Sequence, residues 1–203
     1  MIKLAKSVFA QRLGHLGPTF TAGQARDAGI GSNALGQLRD TGQITELSRG
    51  VYRKSDAPVT MYVDLIAACT RVPIGVLCLE TALAVHDLTD EIPGEVNLAV
   101  PRGGPLPRIS YPLVRAHRFA AATFEEGIEY WEAAPGEHVR IYGPSRTVVD
   151  CMRLRHLVGD QVALRALRSY LRRRGTTPSD LMRYAELLGG VGPLRNAIQV
   201  VLD

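Results

Sequence analysis

Apolar positions in the first forty residues recur at helical spacing in three short blocks separated by glycine. Ile2, Ala5, Phe9 and Leu13 make one face of a helix from about residue 2 to 13. A second helix opens at Thr21, whose hydroxyl caps free backbone N–H groups while Gln24 closes a capping box. Ala22, Ala25 and Ala28 follow, and Gly29 ends it. A third opens with Ser32 as N-cap and runs to Thr41, with Gly42 as its stop. Alternation then replaces the helical period. Residues 43–47 read as a strand, Ser48-Arg49-Gly50 as a tight turn and Val51-Tyr52-Arg53 as the returning strand. A helix-turn-helix followed at once by a hairpin with a basic tip predicts a winged helix.

In the third helix Leu35 and Leu38 are expected to face a core with Ile30 and Ile44. That leaves Ser32, Asn33, Gln37 and Asp40 outward and Arg39 at the flank. Asn and Gln amides bond adenine edges in the major groove bidentately, each pair discriminating by about 1–3 kcal/mol. Gly36, on the same face, lowers helix propensity by about 1 kcal/mol relative to Ala and admits a close backbone approach. Arg49 at the wing tip suits a minor groove or a phosphate, and Arg53 or Lys54 suits the DNA backbone. The candidate DNA-contacting set is Thr21, Gln24, Ser32, Asn33, Gln37, Arg39, Arg49 and Arg53. Asp40 and Glu46 oppose phosphates. A winged helix used for protein docking is the competing reading of the same pattern.

Beyond Pro58, read as a linker, residues 62–70 form an apolar helix and residues 74–77 a short buried strand. Residues 80–85 form a second helix; 95–100, 113–119 and 138–142 alternate as further strands, expected to join one mixed sheet. Helices are expected over 159–174, 177–188 and 193–202. The fold class expected is α+β: a winged helix-turn-helix over residues 1–56, then a larger α+β domain over 57–203 ending in a C-terminal helical bundle.

Composition narrows the function classes. Of 203 residues, 46% are apolar and 22% charged, an ordinary globular balance. Aromatics are only 6%, with one Trp, which disfavours a stacking surface for single-stranded nucleic acid. The longest apolar run, Leu65 to Leu79, is broken by Arg71 and Pro73, so no membrane span and no membrane partner is expected. The first residues lack the pattern of a signal peptide. Cys69, Cys78 and Cys151 make no CxxC pair and read as reduced core residues. These features predict a cytoplasmic protein.

Charge is unevenly placed. Residues 1–54 carry eight Lys or Arg against three acids, residues 55–142 six against twelve, and residues 143–203 ten against five. The basic segments are candidates for phosphate contact. Arg165, Arg168 and Arg172 share one face of a C-terminal helix, and the acidic middle of the same chain is their expected partner.

Catalytic chemistry finds little support. His86, Asp87, Asp90 and Glu91 cluster in sequence, but no second His or Cys lies three or four residues from His86, so no metal site and no cofactor is expected. Ser145, Arg146 and Asp150 open a helix after Gly143-Pro144, with Ser145 as its cap and Arg146 and Asp150 as an i, i+4 pair. An anion site there lacks a Gly-rich phosphate cradle. A nuclease of the restriction type needs two acids and a Lys, and no Lys follows Lys54. Arg does not replace it, because its pKa stays above roughly 12. No enzyme is expected.

Four stretches, taken together, resemble AbiEi-type antitoxins: the wing Leu47 to Tyr52, Thr81 to Asp90, Val96 to Arg102, and Ser145 to Cys151. These are the repressor antitoxins of type IV toxin–antitoxin systems, associated with phage defence. The resemblance implies an N-terminal winged helix that binds inverted repeats in the operon's own promoter, as double-stranded DNA. It also implies a C-terminal domain that counteracts a nucleotidyltransferase-like toxin, and it makes the His86 loop a structural turn at a helix end. Two departures stand out: Cys78-Leu79-Glu80 replaces a Ser/His-rich start, and Asp87 stands where a Gly is usual. The function expected is autorepression coupled to toxin neutralisation. The alternatives are a one-component regulator with a ligand- or partner-binding C-terminal domain and no toxin, or an adaptor that docks proteins.

Overall fold

The computed structural model describes residues 11–202. The expected first helix therefore lies mostly outside the described residues; residues 11–14 are helical. By backbone proximity the chain groups into two compact units. One holds the described residues up to Ile74 with Arg108–Val114 and Trp131–Val139. The other holds Gly75–Pro107, Arg115–Tyr130 and the chain from Arg140 onward.

The first unit is built on an antiparallel sheet of β1 (Thr19–Thr21), β2 (Ile44–Ser48) and β3 (Val51–Lys54), ordered β1-β3-β2. β1, three residues long, is too short to show a period in sequence. Against the sheet lie α1 (Ala22–Asp27) and α2 (Ser32–Asp40). The capping box at α1 forms as its sequence predicts: Gln24 N–H donates to Thr21 Oγ1 at 3.1 Å and Thr21 N–H to Gln24 Oε1 at 2.7 Å. At α2 the cap differs from expectation. Gly31 is the N-cap, Ser32 is the first helical residue, and no side chain caps the turn. Leu35, Leu38, Ile30 and Ile44 are buried together with Phe20 and Ala25, as the helical spacing requires.

This unit extends past residue 56. α3 (Val63–Arg71) buries Ile66, Ala67 and Ala68 and packs on all three strands. Tyr62 meets the Trp131 ring edge-on at 4.7 Å, and Thr60 Oγ1 donates to Ala133 O at 2.6 Å.

A second sheet is mixed, as expected, and ordered β6-β5-β4-β8-β7, most of its strand residues belonging to the second unit. Its strands are β4 (Val76–Leu77), β5 (Val96–Pro101), β6 (Val114–Phe119), β7 (Ile128–Ala134) and β8 (Glu137–Tyr142). β4 runs antiparallel to β5 and parallel to β8. The sequence pattern omits β7, because its buried positions do not alternate. The helices are α4 (Leu79–Val85), α5 (Pro144–Arg153), α6 (Arg155–Val158), α7 (Asp160–Leu171), α8 (Pro178–Leu188) and α9 (Val191–Leu202).

α5 is the centre of this unit. Every residue from Arg146 to Met152 is buried, and α4, α7 and α8 pack around it. Its N-cap is Gly143 rather than Ser145, whose Oγ instead hydrogen-bonds the Tyr170 hydroxyl at 2.8 Å. A Cβ at Gly143 collides with the Glu129 carboxylate, which sits over this helix end. The chain's own carboxylate thus occupies the helix terminus that an anion would otherwise take, and the helix dipole favours it there.

Arg146, although charged, is only 1% exposed. Its Nε donates to Asp150 Oδ2 at 2.6 Å, and its Nη1 to the carbonyls of Thr123 and Glu126 at 3.0 and 2.8 Å. The guanidinium lies 4.4 Å from the Tyr142 ring centre. The second Asp150 oxygen accepts Arg153 Nη1 at 2.7 Å. Burial pushes the Asp150 carboxyl above its usual range, while the two guanidiniums pull against that rise.

Candidate nucleic-acid interface

The outward face of α2 carries Ser32, Asn33 and Gln37, all exposed. Asn33 and Gln37 stand one helical turn apart on the same face, with Cβ atoms about 5–6 Å from each other. A Cβ at Gly36, between them, meets nothing within 4 Å. The face is open, polar and shallow, which is what a major-groove reader presents.

The wing turns at Arg49-Gly50, with Gly50 at φ +74°, and a bulge between Glu46 and Ser48 twists β2 as it enters the turn. Arg49 is exposed and has no hydrogen bond or ion pair among the described residues. Glu46 is engaged on both oxygens: Oε1 accepts Gly50 N–H at 3.0 Å and Oε2 pairs with Arg39 Nη1 at 3.3 Å. Its charge is therefore partly neutralised and works to shape the wing. Arg39 is correspondingly shared, with Asp40 also 3.7 Å from its Nε. Tyr52, stacked on Phe20 at 6.0 Å, has its hydroxyl pKa raised by burial and by Glu46.

The remaining candidates are placed differently. Thr21 Oγ1 and Gln24 Oε1 are taken as acceptors by the capping box, leaving only their donor groups outward. Arg53 is turned inward and is 7% exposed. Its Nη1 donates to Thr19 Oγ1 at 2.8 Å and to the Glu137 carboxylate, and its Nη2 to Pro58 O at 2.6 Å. The expected backbone-holding arginine is an internal strut, because the carboxylate that captures it comes from a distant hairpin. Lys54 likewise donates to Leu16 O at 2.6 Å. The α2 face and the Arg49 wing tip are the exposed parts of the candidate interface.

The second unit gives no comparable site. Among the described residues no three His, Cys, Asp or Glu side chains converge so as to hold a metal ion, and no helix is long and apolar enough to cross a membrane. His86 ends α4, and its Nε2 hydrogen-bonds Tyr142 O at 2.8 Å; burial holds the imidazole pKa below its ordinary value. Asp87 follows at φ +52°, in the left-handed region. That conformation favours Gly, and Asp tolerates it better than most residues. Asp87→Gly is expected to raise stability by about 0.5–1 kcal/mol, read as a higher urea midpoint with an unchanged slope.

Arg165 pairs with Glu91, and Arg173 Nη2 donates to the carbonyls of His86 and Asp87. Arg168 and Arg172 are exposed and unpaired among the described residues, so the internal pairing of this face is partial.

No curated protein sequence matches the chain. The crystal structure of the RV2827C protein from Mycobacterium tuberculosis has a similar fold: TM-score 0.50 at 16% identity, over 96% of this chain and 80% of that one. Residues 15–53 match the sequence model of a family described as "Transcriptional regulator, AbiEi antitoxin". That span runs from the turn before β1 through α2 and both wing strands. The winged-helix segment of this chain is thus similar to the matching segment of that regulator family.

Proposed function

We propose that the protein is a cytoplasmic antitoxin of a type IV toxin–antitoxin system that represses its own operon. Residues 1–56 bind promoter DNA, and residues 57–203 counteract a nucleotidyltransferase-like toxin. The observation that carries the reading is the pairing of an exposed Asn33–Gln37 face with an unpaired Arg49 wing tip, inside the segment that matches a regulator family. Asn33 and Gln37 read bases in the major groove. Ser32, Arg49 and the shared Arg39 position the DNA backbone, with Thr21 and Gln24 offering donors at the helix opening.

The test is binding to a duplex from immediately upstream of the gene and to its scrambled counterpart, at two salt concentrations. The wild type is expected to prefer the native duplex. Asn33→Ala with Gln37→Ala is expected to abolish that preference, each amide contributing about 1–3 kcal/mol. Arg49→Ala is expected to weaken both duplexes alike and to lower the salt slope by about 1. Absence of duplex binding at low salt overturns the reading. Rescue of growth from the co-expressed neighbouring gene separates an antitoxin from a regulator without a toxin.

A further inference from the structure

The wing has a companion from elsewhere in the chain. Residues Arg108–Val114 run from the long connection after β5 to the first residue of β6, yet they group with the winged-helix unit while the residues on either side do not. The tie is specific. Ser48 Oγ, in the residue just before the wing tip, donates to Tyr111 O at 2.6 Å. Ser48 is itself only 7% exposed, so this hydroxyl is committed to holding the segment rather than facing solvent. Pro112 is buried, whereas Tyr111 is 61% exposed and Arg108 is exposed with no hydrogen bond or ion pair among the described residues. The segment Arg-Ile-Ser-Tyr-Pro-Leu-Val contains one cation and no acid.

We propose that Arg108–Val114 is a second wing, contacting DNA phosphates beside Arg49 through the Arg108 guanidinium and the Tyr111 hydroxyl. The proposal rests on the DNA-binding reading above. Its chemistry is that of backbone positioning: Arg and Tyr side chains are common phosphate donors and carry no sequence information by themselves. Its geometry follows from chain reach. Residue 49 is the neighbour of Ser48, which is bonded to residue 111, and three residues extend at most about 11 Å. Phosphates on one strand recur every 3.4 Å of helix axis, so Arg108 and Tyr111 fall within about three phosphates of each other. The nearest acid in the wing, Glu46, is already paired with Arg39 and so does not oppose the contact. Tyr111 and Leu113, 61% and 62% exposed, also suit a protein partner. The cation without a partner favours the polyanion.

The experiment uses the full chain, the native upstream duplex and its scrambled counterpart, with Arg108→Ala, Tyr111→Phe and Arg49→Ala beside the wild type. Arg108→Ala is expected to weaken both duplexes several-fold and to reduce the slope of log K against log salt by about 0.9, the signature of one lost phosphate contact. Tyr111→Phe keeps the ring and removes only the hydroxyl. It is expected to weaken both duplexes at each salt while leaving the slope unchanged. Both positions are exposed, so melting temperatures should match the wild type; a salt slope is in any case not changed by simple loss of folded protein. If Arg49→Ala shows the lost contact and Arg108→Ala and Tyr111→Phe behave as wild type, the second wing is refuted and the DNA-binding reading survives. If the wild type binds neither duplex, both fall.

Discussion

Asp150→Ala is expected to cost about 3–5 kcal/mol, a large part of the roughly 5–15 kcal/mol that holds a typical domain together. The reason is what remains behind. Arg146 stays 1% exposed with its main counter-ion gone and only two carbonyls and the Tyr142 and Phe119 rings to offset its charge. Arg153 loses the same carboxylate. Chemical unfolding should show a large fall in midpoint, whereas the double change Arg146→Met with Asp150→Leu should recover much of the loss, because an apolar pair of similar volume needs no counter-ion. A single-substitution cost below about 1 kcal/mol would mean that the pair is not the strut that its burial indicates. DNA preference should be untouched while the protein remains folded.

Arg53→Met is expected to be comparably severe, about 3–5 kcal/mol, for the mirror-image reason: Glu137, 9% exposed, is left as a buried charge without its cation. Thr19 Oγ1 and Pro58 O lose their donors in the same step. Glu137→Gln should cost less, since a neutral amide still accepts from the guanidinium. The informative measurement is the pairing of stability with salt dependence. Where Arg53→Met is still folded, its DNA affinity should fall with salt as steeply as that of the wild type. Arg49→Ala should do the reverse, keeping its melting temperature and losing about one unit of slope. A flattened slope in Arg53→Met would return that arginine to the DNA.

The contrast between Arg49 and Arg53 shows how far the sequence could be read. The winged helix was legible because its signals are local: a capping box, apolar residues at helical spacing, a glycine where the wing turns. Leu35, Leu38, Ile30 and Ile44 assemble as their spacing requires. Which basic residues stay exposed was not legible, since the carboxylate that claims Arg53 lies 84 positions away. β7 and residues 108–112 escaped for the same reason, being defined by distant partners rather than by a period of their own. The Arg146–Asp150 spacing was visible, but its burial was not. The apolar neighbours Val148, Val149, Cys151 and Met152 were the clue that this motif belongs to a core.

The winged-helix unit also has a consequence for biosynthesis. Its early strands are tied to Tyr111 and Glu137, so the ribosome must deliver about 80 residues beyond the wing before the unit is complete. At about 5–20 residues per second that interval lasts roughly 4–16 s. A nascent chain stalled before residue 137 lacks the Glu137 carboxylate that pairs with Arg53, and leaves that guanidinium without its counter-ion in a unit still open to proteases. Repression, on the reading given above, therefore begins only with chains whose synthesis has passed well into the second unit, and aborted translation products do not compete for the operator.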